Sequence, residues 1–160
     1  MITNIDKCLV QWFKEQTNNA AIIEQLNCWI IQGGGIAARI RQEYPQIYAA
    51  DVKFGRKGDI TKLGEFCVAN VYPDKLIYGY YGQYDLGTNK RQTNYEAVYV
   101  GLTEIKKHAI ENGINIIGLP KNMGSTLGGA RFSIIERMIE IVFENSGIDV
   151  YICNYDPSKK

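Results

Sequence analysis

Histidine is nearly absent from this sequence and its cysteines are scattered, so the side chains that most often bind metals are scarce. The chain of 160 residues has one histidine, His108, and its four cysteines, at positions 8, 28, 67 and 153, form no Cys-x-x-Cys pair. Structural zinc sites are built from such pairs and clusters. We therefore predict no metal site and no bound cofactor, and we expect reduced thiols of the kind found in the cytosol.

A surplus of charge of one sign is also missing, as is any long apolar run. The 18 Lys and Arg residues nearly cancel the 17 Asp and Glu residues, which argues against general binding to nucleic acid or to a membrane surface. No stretch approaches the ~18 apolar residues of a membrane span, and residues 1–6 do not begin a signal peptide. We expect a protein of the cytoplasm, that of a host if a phage encodes it.

What the sequence does contain is an alternation of β-branched apolar segments with helical patterns. A hydrophobic content of 46% in 160 residues suits one domain, predicted to span 1–156 with a frayed tail at 157–160. Strands are predicted at 20–26, 66–72, 76–81, 114–119 and 149–153, with a weaker one at 2–5, and helices at 36–44, 95–109 and 132–143. This order predicts an α/β fold of three layers, α/β/α, around a mixed, mostly parallel sheet of about six strands.

Two of the predicted strands lead through a glycine-rich turn into a helix. The strand 20–26 is followed by 27–32 and then by Gly33-Gly34-Gly35, and the strand 114–119 is followed by Gly124-Ser125-Thr126-Leu127-Gly128-Gly129. Glycines allow backbone amides to approach a ligand, and a helix N-terminus favours phosphate. Because such loops lie beyond the carboxyl ends of their strands, the pair could clasp a diphosphate. A single tight turn without a ligand is the structural alternative for either loop.

Two other nucleotide-binding motifs fit less well. Gly33-x-Gly35-x-x-Ala38 satisfies the dinucleotide fingerprint of an NAD-dependent oxidoreductase, but six residues separate the strand from the first glycine. The acidic residue at the right distance, Asp51, follows Tyr44-Pro45 in a region predicted to break helices and to lack a second strand. No P-loop sequence is present.

The same residues resemble a macro domain, the ADP-ribose-binding module. Asn27, followed six positions later by Gly33-Gly34-Gly35-Ile36-Ala37, resembles that family's asparagine and Gly-Gly-Gly-Val-Ala signature. Similarity to the short bacterial and phage members continues through most of the chain, at Tyr44-Pro45-Gln46-Ile47-Tyr48, Lys57-Gly58-Asp59, Gly82-Gln83, Arg91-Gln92-Thr93-Asn94-Tyr95 and Pro120 to Phe132. The last of these segments resembles the family's second phosphate loop.

The resemblance implies ADP-ribose, or an ADP-ribosyl derivative, as the partner and assigns roles to individual residues. Asn27 would position the distal ribose and is the candidate catalytic residue. Asp6 would accept from the adenine amino group, although a turn or cap role suits it equally, and Asn154 and Tyr155 would border the adenine. The diphosphate would be held by Gly33, Gly34, Gly35 and Ile36 on one side and by Gly124, Ser125, Thr126, Leu127, Gly128 and Gly129 on the other.

Departures from the family pattern leave catalysis open. Arg131 stands where relatives that hydrolyse ADP-ribosyl esters carry aspartate, and Gln83 stands nearest to the position of their nucleophilic lysine. Arg131, and less directly Lys90 and Arg91, could instead pair with a terminal phosphate. The first hypothesis is therefore hydrolysis of ADP-ribose 1''-phosphate. The alternative is a non-catalytic binder that sequesters ADP-ribose or an NAD-derived signal, for example in phage counter-defence.

Overall fold

The computed structural model of the chain describes residues 2–71 and 74–154. Tyr72 and Tyr155, which the sequence analysis placed in a strand and beside the adenine, lie outside the described residues, as does the predicted tail 157–160. Within these ranges, six strands and five α-helices follow one another in the order β1 (Ile2–Ile5), α1 (Leu9–Glu15), β2 (Ala20–Asn27), α2 (Gly35–Glu43), α3 (Gln46–Phe54), β3 (Phe66–Val71), β4 (Lys75–Gln83), α4 (Tyr95–Glu111), β5 (Ile116–Pro120), α5 (Phe132–Phe143) and β6 (Asp149–Cys153).

All six strands form one sheet, in the order β1-β6-β5-β2-β4-β3. Every neighbouring pair is parallel except β3 with β4, which is antiparallel. Parallel strands need crossover connections, and the helices supply them on both faces of the sheet. The predicted mixed, mostly parallel six-stranded sheet in an α/β fold is confirmed.

Each face of the sheet has its own apolar core, as the alternation of side chains along β2 illustrates. Ala21 and Ile23 belong to the cluster beneath α4 and α5, whereas Ile22 and Leu26 belong to the cluster beneath α1, α2 and α3. Tyr78 and Tyr80 of β4 lie fully buried in the first cluster and Tyr81 in the second. These three tyrosines therefore fill the core.

Two helices were not predicted. The helix α1 has only seven residues, too few to show a clear apolar period. Pro45 does end α2, but it is also the N-cap of α3, where its fixed φ suits the start of a helix. The expectation that residues after Tyr44 form no helix is therefore wrong.

Asp51 consequently lies in α3, not at the end of a second strand. It is buried, with the Tyr81 hydroxyl 2.7 Å from Oδ1 and the Gln32 amide nitrogen 3.0 Å from Oδ2. A carboxylate enclosed in this way cannot hold the hydroxyls of a ribose, so the structure argues against the dinucleotide-fingerprint interpretation. Within the described ranges, no helix is long and apolar enough to cross a membrane.

Candidate ligand-binding cleft

A cleft of about 760 Å³ lies where the carboxyl ends of four adjacent parallel strands meet. Asn27 ends β2, Gln83 ends β4, Pro120 ends β5, and Cys153 with Asn154 follows from β6, and all of them line the cleft. Open α/β sheets bind ligands at this edge. The two glycine loops, which follow β2 and β5, both line the cleft.

Asn27 organises the first loop, residues 28–34. Its Oδ1 accepts hydrogen bonds from the backbone N–H groups of Trp29 and Ile31, at 2.8 and 3.4 Å, and its Nδ2 donates to the Ile31 carbonyl at 2.7 Å. The intervening residue Ile30 has a φ of 61°, a left-handed conformation that a β-branched residue seldom adopts. The three bonds stabilise this turn, and because an amide nitrogen carries two hydrogens, Nδ2 retains one for a ligand.

The first loop presents unpaired backbone amides to the cleft. Among the described residues, none supplies an acceptor for the N–H groups of residues 33–37, and these five residues all line the cleft. Gly34 is the N-cap of α2 and Gly35 has a φ of 56°. Free amides at the positive end of a helix dipole form a site for an anion.

The second loop, residues 121–131, repeats this arrangement. Its turns are closed by the Ser125 N–H to the Asn122 carbonyl (2.8 Å) and by the Ala130 N–H to the Gly124 carbonyl (3.0 Å). The N–H groups of Thr126, Leu127 and Gly128 have no acceptor in the described part of the chain, and these residues line the cleft. Leu127 Cδ1 lies 3.2 Å from where a Cβ on Gly34 would stand, so the two loops nearly touch.

A partly buried network of polar side chains supports the second loop. Thr93 Oγ1 donates to the Gly124 carbonyl at 2.7 Å, and the Thr93 N–H donates to the Gly128 carbonyl at 3.0 Å. Gln25 Nε2 donates to Thr93 Oγ1 and to Gln83 Oε1, at 2.8 and 2.9 Å, while its Oε1 accepts from the Tyr80 hydroxyl at 3.0 Å. The polar side-chain groups of Gln25 and Thr93 are thus all hydrogen-bonded, which keeps the support of the second loop rigid.

The charges around the cleft suit an anion. Among the described residues that line it there is no Asp or Glu, and Arg39 and Lys121 are its cations. Burial raises the pKa of the lining thiol, Cys153, to about 12, and burial likewise raises that of Cys28 to about 11. Neither is a thiolate near neutral pH, so neither is suited to be a nucleophile.

The structure brings most of the predicted site residues together. Lining the cleft are Asn27, Gly33, Gly34, Gly35, Ile36, Gly124, Thr126, Leu127, Gly128 and Asn154. Four others, Asp6, Ser125, Gly129 and Arg131, are not among the lining residues. Asp6 is exposed after the edge strand β1, and Arg131 is exposed at the N-cap of α5. The Ser125 hydroxyl is buried and has no partner in the described part of the chain.

Sequence reasoning missed the residues behind the second loop. Gln25 and Thr93 carry no recognisable motif of their own, although Thr93 lies within a segment that resembles the family.

His108 is half-buried on α4, with Nδ1 2.7 Å from the Tyr78 hydroxyl, and it does not line the cleft. Within the described ranges, no group of three or more His, Cys, Asp or Glu side chains could hold a metal ion.

Solved structures with the same architecture place the chain among macrodomains by fold. It superposes on the macrodomain of Thermus aquaticus DarG with a TM-score of 0.76 and 22% identity, over 98% of this chain and 99% of that one. It also superposes on a Trypanosoma brucei macrodomain in complex with ADP-ribose, with a TM-score of 0.70 and 15% identity, over 95% of this chain and 63% of that one. The chain therefore has the macrodomain fold.

Two further similarities are to proteins without an assigned activity. An uncharacterized 17.5 kDa protein of Enterobacteria phage T4, from the tk-vs intergenic region, is 25% identical over 152 residues, 93% of each chain. A protein of unknown function from Bacteroides thetaiotaomicron has a TM-score of 0.84 and 17% identity, over 96% of this chain and 98% of that one. No protein-family model matches the sequence.

Proposed function

We propose that this protein binds ADP-ribose or an ADP-ribosyl derivative in the cleft between the two glycine loops. The observation that carries the proposal is the pair of unpaired amide sets, residues 33–37 and 126–128, that line one cleft. Two linked phosphates would give each loop an anion to bind, and hydrogen bonds to charged acceptors are the stronger ones. The structural similarity to a macrodomain in complex with ADP-ribose supports the same ligand.

The order of the strands supports one orientation of the ligand in the cleft. The glycine loops follow β2 and β5, which are central in the row β6-β5-β2-β4, so the diphosphate would lie in the middle of the cleft. Asn27, at the end of β2, pairs with Gln83 at the end of β4, and Asn154 follows β6. With the roles that the resemblance implies, the distal ribose lies at the β4 end and the adenine at the β6 end.

Binding is favoured over hydrolysis by the chemistry of the lining. Hydrolysis of ADP-ribose 1''-phosphate needs a group that activates water, and general bases are carboxylates, histidines or perturbed lysines within hydrogen-bond reach. The ionisable side chains among the described lining residues are Arg39, Lys121 and Cys153. The protein as a binder is therefore the first candidate, and the hydrolase is the second.

Calorimetric titration with ADP-ribose tests the proposal, with Gly33 as the position to alter. A Cβ at Gly33 would have only Ile31 Cγ2 within 4 Å, at 3.9 Å, so both Gly33→Ala and Gly33→Glu should fold. The glutamate would place a charge beside the phosphates and lower the affinity at least about tenfold, because like charges at short range cost several kcal/mol.

The alanine variant is the matched control and should bind within about threefold of the unaltered protein, since it adds no charge and meets no close neighbour. No heat with ADP-ribose from the unaltered protein would refute the proposal, as would equal affinity of the Glu and Ala variants. Release of phosphate from ADP-ribose 1''-phosphate, measured in parallel, would make the second candidate the correct one.

A further inference from the structure

The two ends of the cleft differ in charge. At the β6 end, Lys121 follows β5 and its N–H donates to the Cys153 carbonyl at 2.9 Å. Arg39 lies on α2, a helix that packs against α1, α3 and β2. At the β4 end the described lining residues are Gln83, Leu86, Gly87, Thr88 and Ile31, which are all uncharged. The described lining residues that end or follow β4 therefore include no cation.

Aliphatic side chains that line the cleft are exposed instead. Ile31 of the first loop is 49% exposed, Leu86 of the segment after β4 is 41% exposed, and Leu127 of the second loop is 55% exposed. All three line the cleft, and the Ile31 carbonyl accepts from Asn27, the residue assigned to the distal ribose. Single exposed aliphatic residues are common, but three that line one cleft form an apolar surface suited to a ligand group.

The basic side chains nearest to the β4 end are not part of the cleft. The Arg91 guanidinium lies 4.5 Å from the centre of the Tyr95 ring, and the Tyr95 hydroxyl accepts from the Arg131 N–H at 2.9 Å. Neither Lys90, Arg91 nor Arg131 is among the lining residues. A phosphate on the distal ribose would therefore lose water without gaining a charged partner, which is costly.

From this asymmetry we infer that the natural ligand carries an uncharged, apolar substituent on the distal ribose, held by Ile31, Leu86 and Leu127. The inference rests on the proposed function and narrows its substrate class. The distal ribose would then carry a group such as a neutral ring in place of the terminal phosphate to which Arg131 was expected to bind. Burial of an apolar group against these side chains stabilises the complex in proportion to the area covered.

Titration with three ligands that differ only at the distal ribose tests this inference. The probes are ADP-ribose, 1''-O-benzyl-ADP-ribose and ADP-ribose 1''-phosphate. The benzyl compound should bind about tenfold more tightly than ADP-ribose, the gain expected from burial of a few carbon atoms. The 1''-phosphate should bind no more tightly than ADP-ribose.

Substitution of a cleft-lining aliphatic residue then tests where the benzyl group binds. Leu86→Asn should reduce the ratio of the affinity for the benzyl compound to that for ADP-ribose to about twofold. Ile110→Asn is the matched control, because Ile110 is 50% exposed on α4 and does not line the cleft. It should leave all three affinities unchanged.

Each other outcome has a definite meaning. ADP-ribose binding with a preference for the 1''-phosphate, or a benzyl preference that survives Leu86→Asn, would overturn this inference and leave the proposed function intact. Failure of all three compounds to bind would remove the proposed function, and this inference with it.

Discussion

The turn that Asn27 closes in the first glycine loop is local, whereas the network around Thr93 that supports the second glycine loop joins distant parts of the chain. Asn27 makes all three of its bonds within four residues. Thr93, in contrast, reaches the Gly124 carbonyl across 31 positions, and Gln25 reaches Thr93 across 68. The two loops offer the same chemistry to a ligand, but the Asn27 turn forms within one segment and the Thr93 network forms only in the completed fold.

The packing around their glycines differs in the same way. A Cβ on Gly33 would meet almost nothing, whereas one on Gly128 would lie 2.2 Å from Thr93 Oγ1 and 2.5 Å from the Gly124 carbonyl oxygen. The first loop therefore has room for a Cβ at Gly33, whereas Gly128 is required for the fit of the second loop to its support. Substitutions at these two positions should separate an added methyl group from a displaced loop.

The largest effect is expected from Gly128→Ala. Overpacking at a contact this short costs about 1 to 3 kcal/mol of folding free energy, and displacement of the loop removes amide bonds to the phosphates. We expect the affinity for ADP-ribose to fall about 100-fold, a loss equal to one or two charge-assisted hydrogen bonds. Calorimetry would measure the affinity and urea denaturation the folding free energy, with Gly33→Ala as the control. Equal losses in the two variants would contradict the difference in packing between Gly33 and Gly128.

The same contrast explains which parts of the site could be predicted from sequence. The functional residues of the first loop, Asn27 and Gly33 to Ile36, lie in one continuous segment, and all of them line the cleft. Gln25 lies in the middle of an apolar strand and Thr93 precedes a helix by two residues. Their meeting depends on the pairing of β2 with β4, which no local pattern specifies.

The fold was predictable to a similar degree. The long helices and the buried strands have clear periods, and their alternation predicts the sheet correctly. The short helix α1 and the helix α3 after Pro45 have no such signal and depend on tertiary contacts for their stability. Arg131 is placed by its neighbours as well, since its N–H is bonded to the Tyr95 hydroxyl, and sequence alone could not show that its side chain lies outside the cleft lining.

A smaller effect on affinity is expected from Thr93→Val, which keeps the shape of the side chain and removes its hydroxyl. The variant loses the bonds to the Gly124 carbonyl and from Gln25 Nε2, so the second loop becomes less ordered. We expect about a tenfold loss in affinity for ADP-ribose, consistent with one or two buried hydrogen bonds. Because AMP contacts mainly the other end of the cleft, its affinity should change less.

Thr93→Ser keeps the hydroxyl and should restore the affinity for ADP-ribose. A purely structural role for Thr93 would lower both affinities alike, and it would show in calorimetry as equal losses for ADP-ribose and AMP. Parallel losses, or a failure of serine to rescue, would mean that the network does not position the second loop.

The smallest effect on affinity is expected beneath the first loop, at Glu24. This β2 side chain is buried, and neither of its carboxylate oxygens has a hydrogen-bond partner in the described part of the chain. Burial, and secondarily the charge of Asp51, raises the pKa of Glu24 well above its usual value of 4.5. Glu24 therefore stays protonated in the folded protein under conditions in which the unfolded chain ionises it.

The sign of the resulting pH dependence follows from proton linkage. Above the unfolded pKa the folded state binds more protons than the unfolded state, so the free energy of unfolding falls as pH rises and continues to fall until the folded pKa is reached. Glu24→Gln carries no such proton. Relative to the unaltered protein it should gain stability with pH, at up to about 1.4 kcal/mol per pH unit, while the affinity for ADP-ribose changes less than about twofold. Urea denaturation at pH 5, 7 and 9 would measure the trend, and a constant difference between the two proteins would show that Glu24 is ionised in the folded state.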